Sequence, residues 1–415
     1  MTDIPRDDSL ESSTALLREG YTFISDRCRA LGTDVFQTRL LMQNTICMSG
    51  EEASRLFYDK ALFQRAHAAP RMLQQTLFGR GGVQGLDGEA HLQRKRLFML
   101  LLDANGVAEM VRLAQEQWEA AIERWTQADR VVLLIESQRI LTQAACRWAA
   151  VPLADDEVEV RRAQLAAMID GAGGIGARHW QARKSRREAE RWAGALIEQV
   201  RSGTFSVPAD SALYAVAAYR DADGERLDTR IAAVELLNLL RPTVAVSRFI
   251  VYAALELLAN PDWRQRLAEG SDEDLELFAQ EVRRLYAFFP FTAARVRKDF
   301  EWKGYRFAEG TRVMLDLYGT NRDPRNWGDP DRFQPERFER WDGSPYNFIT
   351  QGGGEAATNH RCPGERLAIE LLKQALRMLT QEMEYGVPAQ DLRIDKSRMP
   401  AQPESCLVIS DVRRR

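Results

Sequence analysis

Apolar residues recur at helical spacing through most of this chain. Met110 to Trp125, Leu133 to Trp148 and the long run from Asp228 to Leu258 each set large aliphatic side chains three and four residues apart, which predicts helices. Leu367, Ala368, Leu371, Leu372, Ala375, Leu379 and Met383 continue that period near the C-terminus. Strand signals are few. Phe300 to Phe307 flanks a Lys303-Gly304 turn and, with the run from Thr311 to Leu315, reads as a hairpin; Ser405 to Ser410 reads as a terminal strand. The predicted fold is mainly α with a minor β region.

With 415 residues, 45% of them hydrophobic, the chain has ample material for a large core. No Pro/Ser-rich tract, repeat or low-complexity block divides it, so residues 1–415 are expected to form one domain, with 1–20 as a loosely ordered arm. A net charge of −3 argues against a nucleic-acid partner. The basic cluster Arg183 to Arg187 runs straight into Glu188 and Glu190, as a solvated helix face would. Five cysteines without paired spacing suit a reducing compartment. The acidic N-terminus lacks the apolar core of a signal peptide, and no stretch reaches roughly 18 uncharged apolar residues. The expectation is a cytoplasmic protein without a membrane anchor.

Gly171, Gly173 and Gly176 spell Gly-x-Gly-x-x-Gly, but the preceding segment has the pattern of a helix and not of a strand, so a dinucleotide fold is excluded. The chemistry-bearing segment lies further on. Gln351-Gly-Gly-Gly-Glu-Ala-Ala-Thr-Asn-His-Arg-Cys362-Pro-Gly-Glu delivers one cysteine to the start of a predicted helix, where Pro363 suits the first helical position and the macrodipole favours thiolate. Taken alone, such a cysteine is either a small buried hydrophobe or a metal ligand. Glu281 and Arg284 share a helical face, and Pro335-Glu-Arg337-Phe follows. In isolation, the first pair would read as a solvated ion pair.

In that order, the three segments resemble the C-terminal half of the cytochrome P-450 superfamily. Asp316-Leu-Tyr-Gly-Thr-Asn321, the long Gly-Gly-Gly loop, His-Arg-Cys-Pro-Gly-Glu and Arg241-Pro242 resemble its bacterial fatty acid peroxygenase branch. The resemblance implies a haem-thiolate fold in which Cys362 ligates the iron of haem b and Glu281, Arg284 and Arg337 form a buried structural triad. It also implies that Arg65, His91 and Lys95 bind the haem propionates, and that His360 is a loop hydrogen-bonding residue. Phe78 and Phe288 would line the substrate chain, and Gln84 falls where some members carry a His and favour decarboxylation.

Arg241 lies mid-helix beside Pro242, which lacks an N–H and predicts a kink that frees the Asn238 carbonyl. Read from the residues alone, Arg241 meets a protein carboxylate, snorkels to solvent or holds a ligand. Placed by the resemblance, it anchors a substrate carboxylate, which takes over the proton relay of other superfamily members. The catalytic set is then Arg241, Pro242 and Gln84, and the expected reaction is peroxide-driven hydroxylation of long-chain fatty acids at the α or β carbon. Hydrogen peroxide would be the oxidant, with no dedicated redox protein. The alternatives are decarboxylation to a terminal alkene, a monooxygenase fed by redox partners, and a non-catalytic haem or fatty-acid binding protein.

Overall fold

The structure is a computed structural model that describes residues 3–7 and 9–415. Nine helices frame the site and are labelled α1 (Gly88–Leu101), α2 (Ala104–Trp125), α3 (Leu133–Trp148), α4 (Val158–Asp170), α5 (Ala177–Ser202), α6 (Thr229–Ala245), α7 (Ser247–Ala259), α8 (Asp272–Leu285) and α9 (Glu365–Arg377). Capping explains several of their starts. The Asp103 carboxylate accepts from Gly106 N at 2.8 Å, and the Asp228 carboxylate accepts from Arg230 N and Ile231 N, satisfying donors that the first turn leaves free.

The predicted run from 228 to 258 is two helices. Pro242 sits inside α6 and the ladder breaks four residues later, at Val246, before α7 begins. By length and composition the combined stretch could cross a membrane, yet it is mostly buried within the protein, against α3, α4, α5 and α8. Its charged residues Glu235, Arg241, Arg248 and Glu256 are buried with it. Trp118 of α2, Leu141 of α3, Leu237 and Leu240 of α6 and Leu372 of α9 belong to one large core cluster.

The main sheet orders its strands as 35–40, 43–48, 312–316, 291–296 and 63–64. Gln43–Met48 runs parallel to Arg312–Asp316, with Thr45 opposite Arg312, and the other pairings are antiparallel. The hairpin of Phe300 and Phe307 forms as predicted about Lys303 and Gly304, both at positive φ. The segment expected to follow it does not join it. Arg312–Asp316 is buried along its whole length and takes the centre of the main sheet instead. Val408–Arg414 is the terminal strand, starting slightly later than predicted. Within the expected N-terminal arm, Ser13–Glu19 is helical, and Asp7 accepts from Arg27 Nε at 2.9 Å. Gly171 to Gly176 form the turn between α4 and α5, with no strand before them.

Candidate active site

Glu281 and Arg284, both fully buried on α8, meet through two bonds of 2.7 Å. Arg337 Nε reaches Glu281 Oε1 at 3.1 Å, and Gln334 N donates to the same oxygen at 2.8 Å. The guanidiniums also donate to carbonyls: Arg284 to Asn321 and Pro330, Arg337 to Asp329 and Arg332. One buried carboxylate thus organises the turns that precede the cysteine loop. Arg283 on the same helix ties that loop directly, donating to Gln351 Oε1 at 3.0 Å and pairing with Glu365.

The loop closes tightly. A Cβ on Gly353 would stand 2.8 Å from the Tyr58 ring and 2.9 Å from the Pro345 carbonyl, so this position admits no side chain. Cys362 N donates to Gln351 O at 2.9 Å. Contrary to the sequence expectation, Pro363 does not begin the helix: Cys362, Pro363 and Gly364 form a turn and α9 starts at Glu365. The expected N–H bias towards thiolate is present, through the Gly364 N–H, but burial outweighs it: burial, with Glu365 adding, pushes the Cys362 thiol up, and Gly364, the Gln351 side chain and Lys95 oppose it only in part.

Basic groups converge beside this loop. Lys95 donates to the carbonyls of Asn359 and Arg361, the latter at 2.7 Å, and burial lowers its pKa to about 8. His91 stacks on His360 with ring centroids 3.9 Å apart; burial first, then His360 and Lys95, hold His91 down at about 3. Arg65 donates to Ala293 O at 2.6 Å and Thr292 Oγ1 at 3.2 Å. Burial lowers the pKa of its guanidinium, which lies over the Phe57 ring. Asp87 faces His360 and accepts from the Arg65 and Ala66 amides. With the two imidazoles held neutral, Arg65 and Lys95 supply the positive charge here, and His91 and His360 add neutral N–H donors; that set suits an anionic ligand. Among the described residues no three His, Cys, Asp or Glu side chains converge as a metal cluster.

Arg241 is buried, with its Nε unpartnered, and among the described residues it donates to Asn238 Oδ1 at 3.3 Å alone. Among the described residues no carboxylate pairs with it. Burial, with Arg186 adding, lowers its pKa to about 9, while Cys362 acts in the opposite direction and so lies within electrostatic reach. Asn238 Nδ2 reaches Gln84 Oε1 at 3.3 Å and Glu235 Oε2 at 2.8 Å, bringing Gln84 to Arg241. Phe78 ends the turn Gln74–Phe78. A Cβ on the next residue, Gly79, would strike Arg186 Nη2 at 2.1 Å, so the loop approaches α5 only through glycine. Phe288 lies 4.9 Å from Phe289 and 6.0 Å from Phe249, ring centroid to centroid, and makes no ring contact with Phe78.

Sequence reasoning passed over Arg94, Glu235 and the Asn238 side chain, and its reading of Arg183 to Arg187 as a solvated face fails at Arg186, which is buried and donates to Leu77 O at 2.9 Å. Two of them carried a signal, since Glu235 and Asn238 lie six and three residues before Arg241 on an otherwise apolar stretch of helix. Arg94 and Arg186 sit on helices rich in other charges, where nothing distinguishes a buried arginine from a solvated one.

The "Cytochrome P450" family model matches residues 275–405. Cytochrome P450SP alpha (CYP152B1), solved in complex with (R)-ibuprophen, is 43% identical over 98% of this chain and 99% of its own, with a TM-score of 0.95. Wild-type cytochrome P450EX alpha (CYP152N1), solved with myristic acid, is 42% identical over 100% of both chains, with a TM-score of 0.97. Cytochrome P450 3A15 of Cavia porcellus is 33% identical over 148 residues, 34% of this chain, and the match spans only 28% of that protein's length. Identity above 40% across the full length of two CYP152 structures, on the same fold, fixes the lineage: the chain belongs to the cytochrome P450 superfamily of haem-thiolate enzymes, in its bacterial fatty acid peroxygenase branch.

Proposed function

We propose that this enzyme uses hydrogen peroxide to hydroxylate long-chain fatty acids at the α or β carbon, in the cytoplasm and without a redox protein. The observation that carries the reading is Arg241: a buried guanidinium with no carboxylate beside it among the described residues and an unpartnered Nε, within electrostatic reach of Cys362. A buried charge without a partner is costly, and a substrate carboxylate is the partner that this geometry lacks. That the two CYP152 structures were solved with carboxylic acids supports the same reading.

Cys362 would hold the haem iron through Sγ, and Arg65, His91 and Lys95 would receive the propionates. Haem, when bound, supplies an iron centre that activates peroxide for insertion of one oxygen atom into a C–H bond. Arg241 would fix the substrate carboxylate by a charge-assisted contact. The carboxylate oxygen not taken by Arg241 accepts a proton from peroxide and returns it to the departing oxygen, which leaves as water. One peroxide oxygen enters the C–H bond and the other becomes water, so the balance needs no external electrons. Because the carboxylate is the fixed end, oxidation falls on the carbons next to it. Gln84, held by Asn238, offers an amide where an imidazole could transfer protons, and this favours the hydroxy acid over the alkene.

The test is to incubate the haem-loaded protein with peroxide and a series of saturated fatty acids and to identify the products by mass spectrometry. The 2- or 3-hydroxy acids are expected with peroxide alone. Turnover only with added reductase and ferredoxin would establish the monooxygenase instead, and no turnover in either mixture would leave a binding protein.

A further inference from the structure

We infer that Glu235, neutralised by Arg94, is a positioning residue that sets the orientation of Asn238 and through it the pose of both Arg241 and Gln84. The inference rests on the reading of Arg241 as the carboxylate anchor. Glu235 is fully buried on α6 and pairs with Arg94 of α1 at 2.6 Å, Arg94 Nη1 to Glu235 Oε1. Its other oxygen accepts from Asn238 Nδ2 at 2.8 Å; burial raises the Glu235 carboxyl, and Asn238, Arg94 and the Val83 backbone N–H oppose that by favouring its charged form. An ionised carboxylate only accepts, whereas an amide presents a donor on one side and an acceptor on the other. Asn238 must therefore turn its NH2 towards Glu235. That orientation leaves Oδ1 for Arg241 Nη2, and the NH2 group also serves Gln84 Oε1.

Charge balance supports this assignment. A bare carboxylate this close to the anchor would repel an anionic substrate; Arg94 cancels it, so that Arg94, Glu235 and Arg241 together carry one positive charge, matching one carboxylate. Arg94 also lies over the Tyr219 ring at 5.3 Å, which fixes it from a second element.

Glu235→Gln separates these roles. Gln offers one acceptor where Arg94 and Asn238 now use two, so a donor faces a donor unless Asn238 flips and turns its NH2 towards Arg241. The experiment titrates tetradecanoic acid into the haem-loaded protein by calorimetry, with the product ratio at saturating acid as a second readout. Glu235→Gln is expected to weaken binding about tenfold, the effect of one lost charge-assisted hydrogen bond, and to spread the α-to-β ratio while kcat at saturation changes less than KM. Asn238→Leu breaks the same bridge with the Arg94–Glu235 pair intact, and should give the same losses should the first variant not fold. Native affinity and product ratio in a folded Glu235→Gln, or in Asn238→Leu, overturn the inference. Arg241→Ala in the same titration separates the two readings. If it binds as the native protein does, the anchor lies elsewhere; if it alone loses binding, the anchor stands and Glu235 is only structural.

Discussion

Two single positions carry predictions that the packing around them makes specific. Asn238 donates to Gln84 Oε1, so the amide NH2 is the end of Gln84 left to face the site, and it is no acid or base at neutral pH. Replacing it by His supplies a titratable ring at the point where hydroxyl transfer competes with loss of carbon dioxide. A barrier difference of about 1.4 kcal/mol changes the product ratio tenfold. Gln84→His should raise the alkene fraction with the Arg241 anchor intact, and product analysis at fixed peroxide and substrate checks it; a native enzyme that already makes mainly alkene would remove the role. Asp316 is the second position. Its buried carboxyl accepts from Gly319 N at 2.7 Å, and burial pushes its pKa to about 7. The folded state therefore binds the proton more tightly than the unfolded chain, so this group's contribution to stability is full below about pH 4 and is lost as pH rises to 7. Asp316→Asn removes that dependence. In urea titrations the variant should gain on the native protein by about 1.4 kcal/mol per pH unit between pH 5 and 7 and then level off. A difference independent of pH would show that the carboxyl is ionised throughout.

At the level of elements, the triad gives the sharpest expectation, because Glu281 and Arg284 are fully buried on α8 and each completes the other. Arg284→Ala strands a buried carboxylate and frees the carbonyls of Asn321 and Pro330, and should cost roughly 3–5 kcal/mol by chemical denaturation, with loss of haem on heating. A cost near zero would mean that the turns before the cysteine loop hold themselves. The long helices were legible in the sequence because their apolar period is strong; α3 has the predicted bounds. The hairpin 35–48 was not, since its turn residues are Leu41 and Met42, both at positive φ, where Asn-Gly would have announced it. Pro242 marked an irregularity but not its place: its missing N–H acts on the preceding turn at Asn238, whereas the helix breaks four residues further on, at Val246. Arg312–Asp316 read as the continuation of a local hairpin; its true partners are 250 or more residues away in one direction and lie at 291–296 in the other, which no local pattern encodes. In the site, the motif residues Glu281, Arg284 and Arg337 meet as expected, whereas Arg94 was missed because its partner is 141 residues distant.

Across the whole molecule, the anchoring of a carboxylate against a buried guanidinium has to be offset by burial of the rest of the substrate. Arg241 is desolvated before any ligand arrives, since burial already holds its pKa at about 9, so the protein carries part of that cost and the acid must shed its own hydration on entry. The compensating term is apolar burial of the alkyl chain, about 0.8 kcal/mol for each methylene removed from water, or close to fourfold in affinity. Half-buried Phe78 and Phe288 lie on separate elements, one at a turn packed against α5 and the other just beyond α8. An apolar path that uses both would accept a long chain and not a short one. Dissociation constants for saturated acids from octanoic to tetradecanoic, measured by calorimetry on the haem-loaded protein, should fall steadily over about six methylenes by roughly three and a half orders of magnitude. Because the anchor is the same for every member, the slope should survive in a weaker-binding Glu235→Gln, with all constants displaced by a similar factor. Equal affinity for octanoic and tetradecanoic acids would rule out an extended apolar channel and leave carboxylate recognition as the whole of binding.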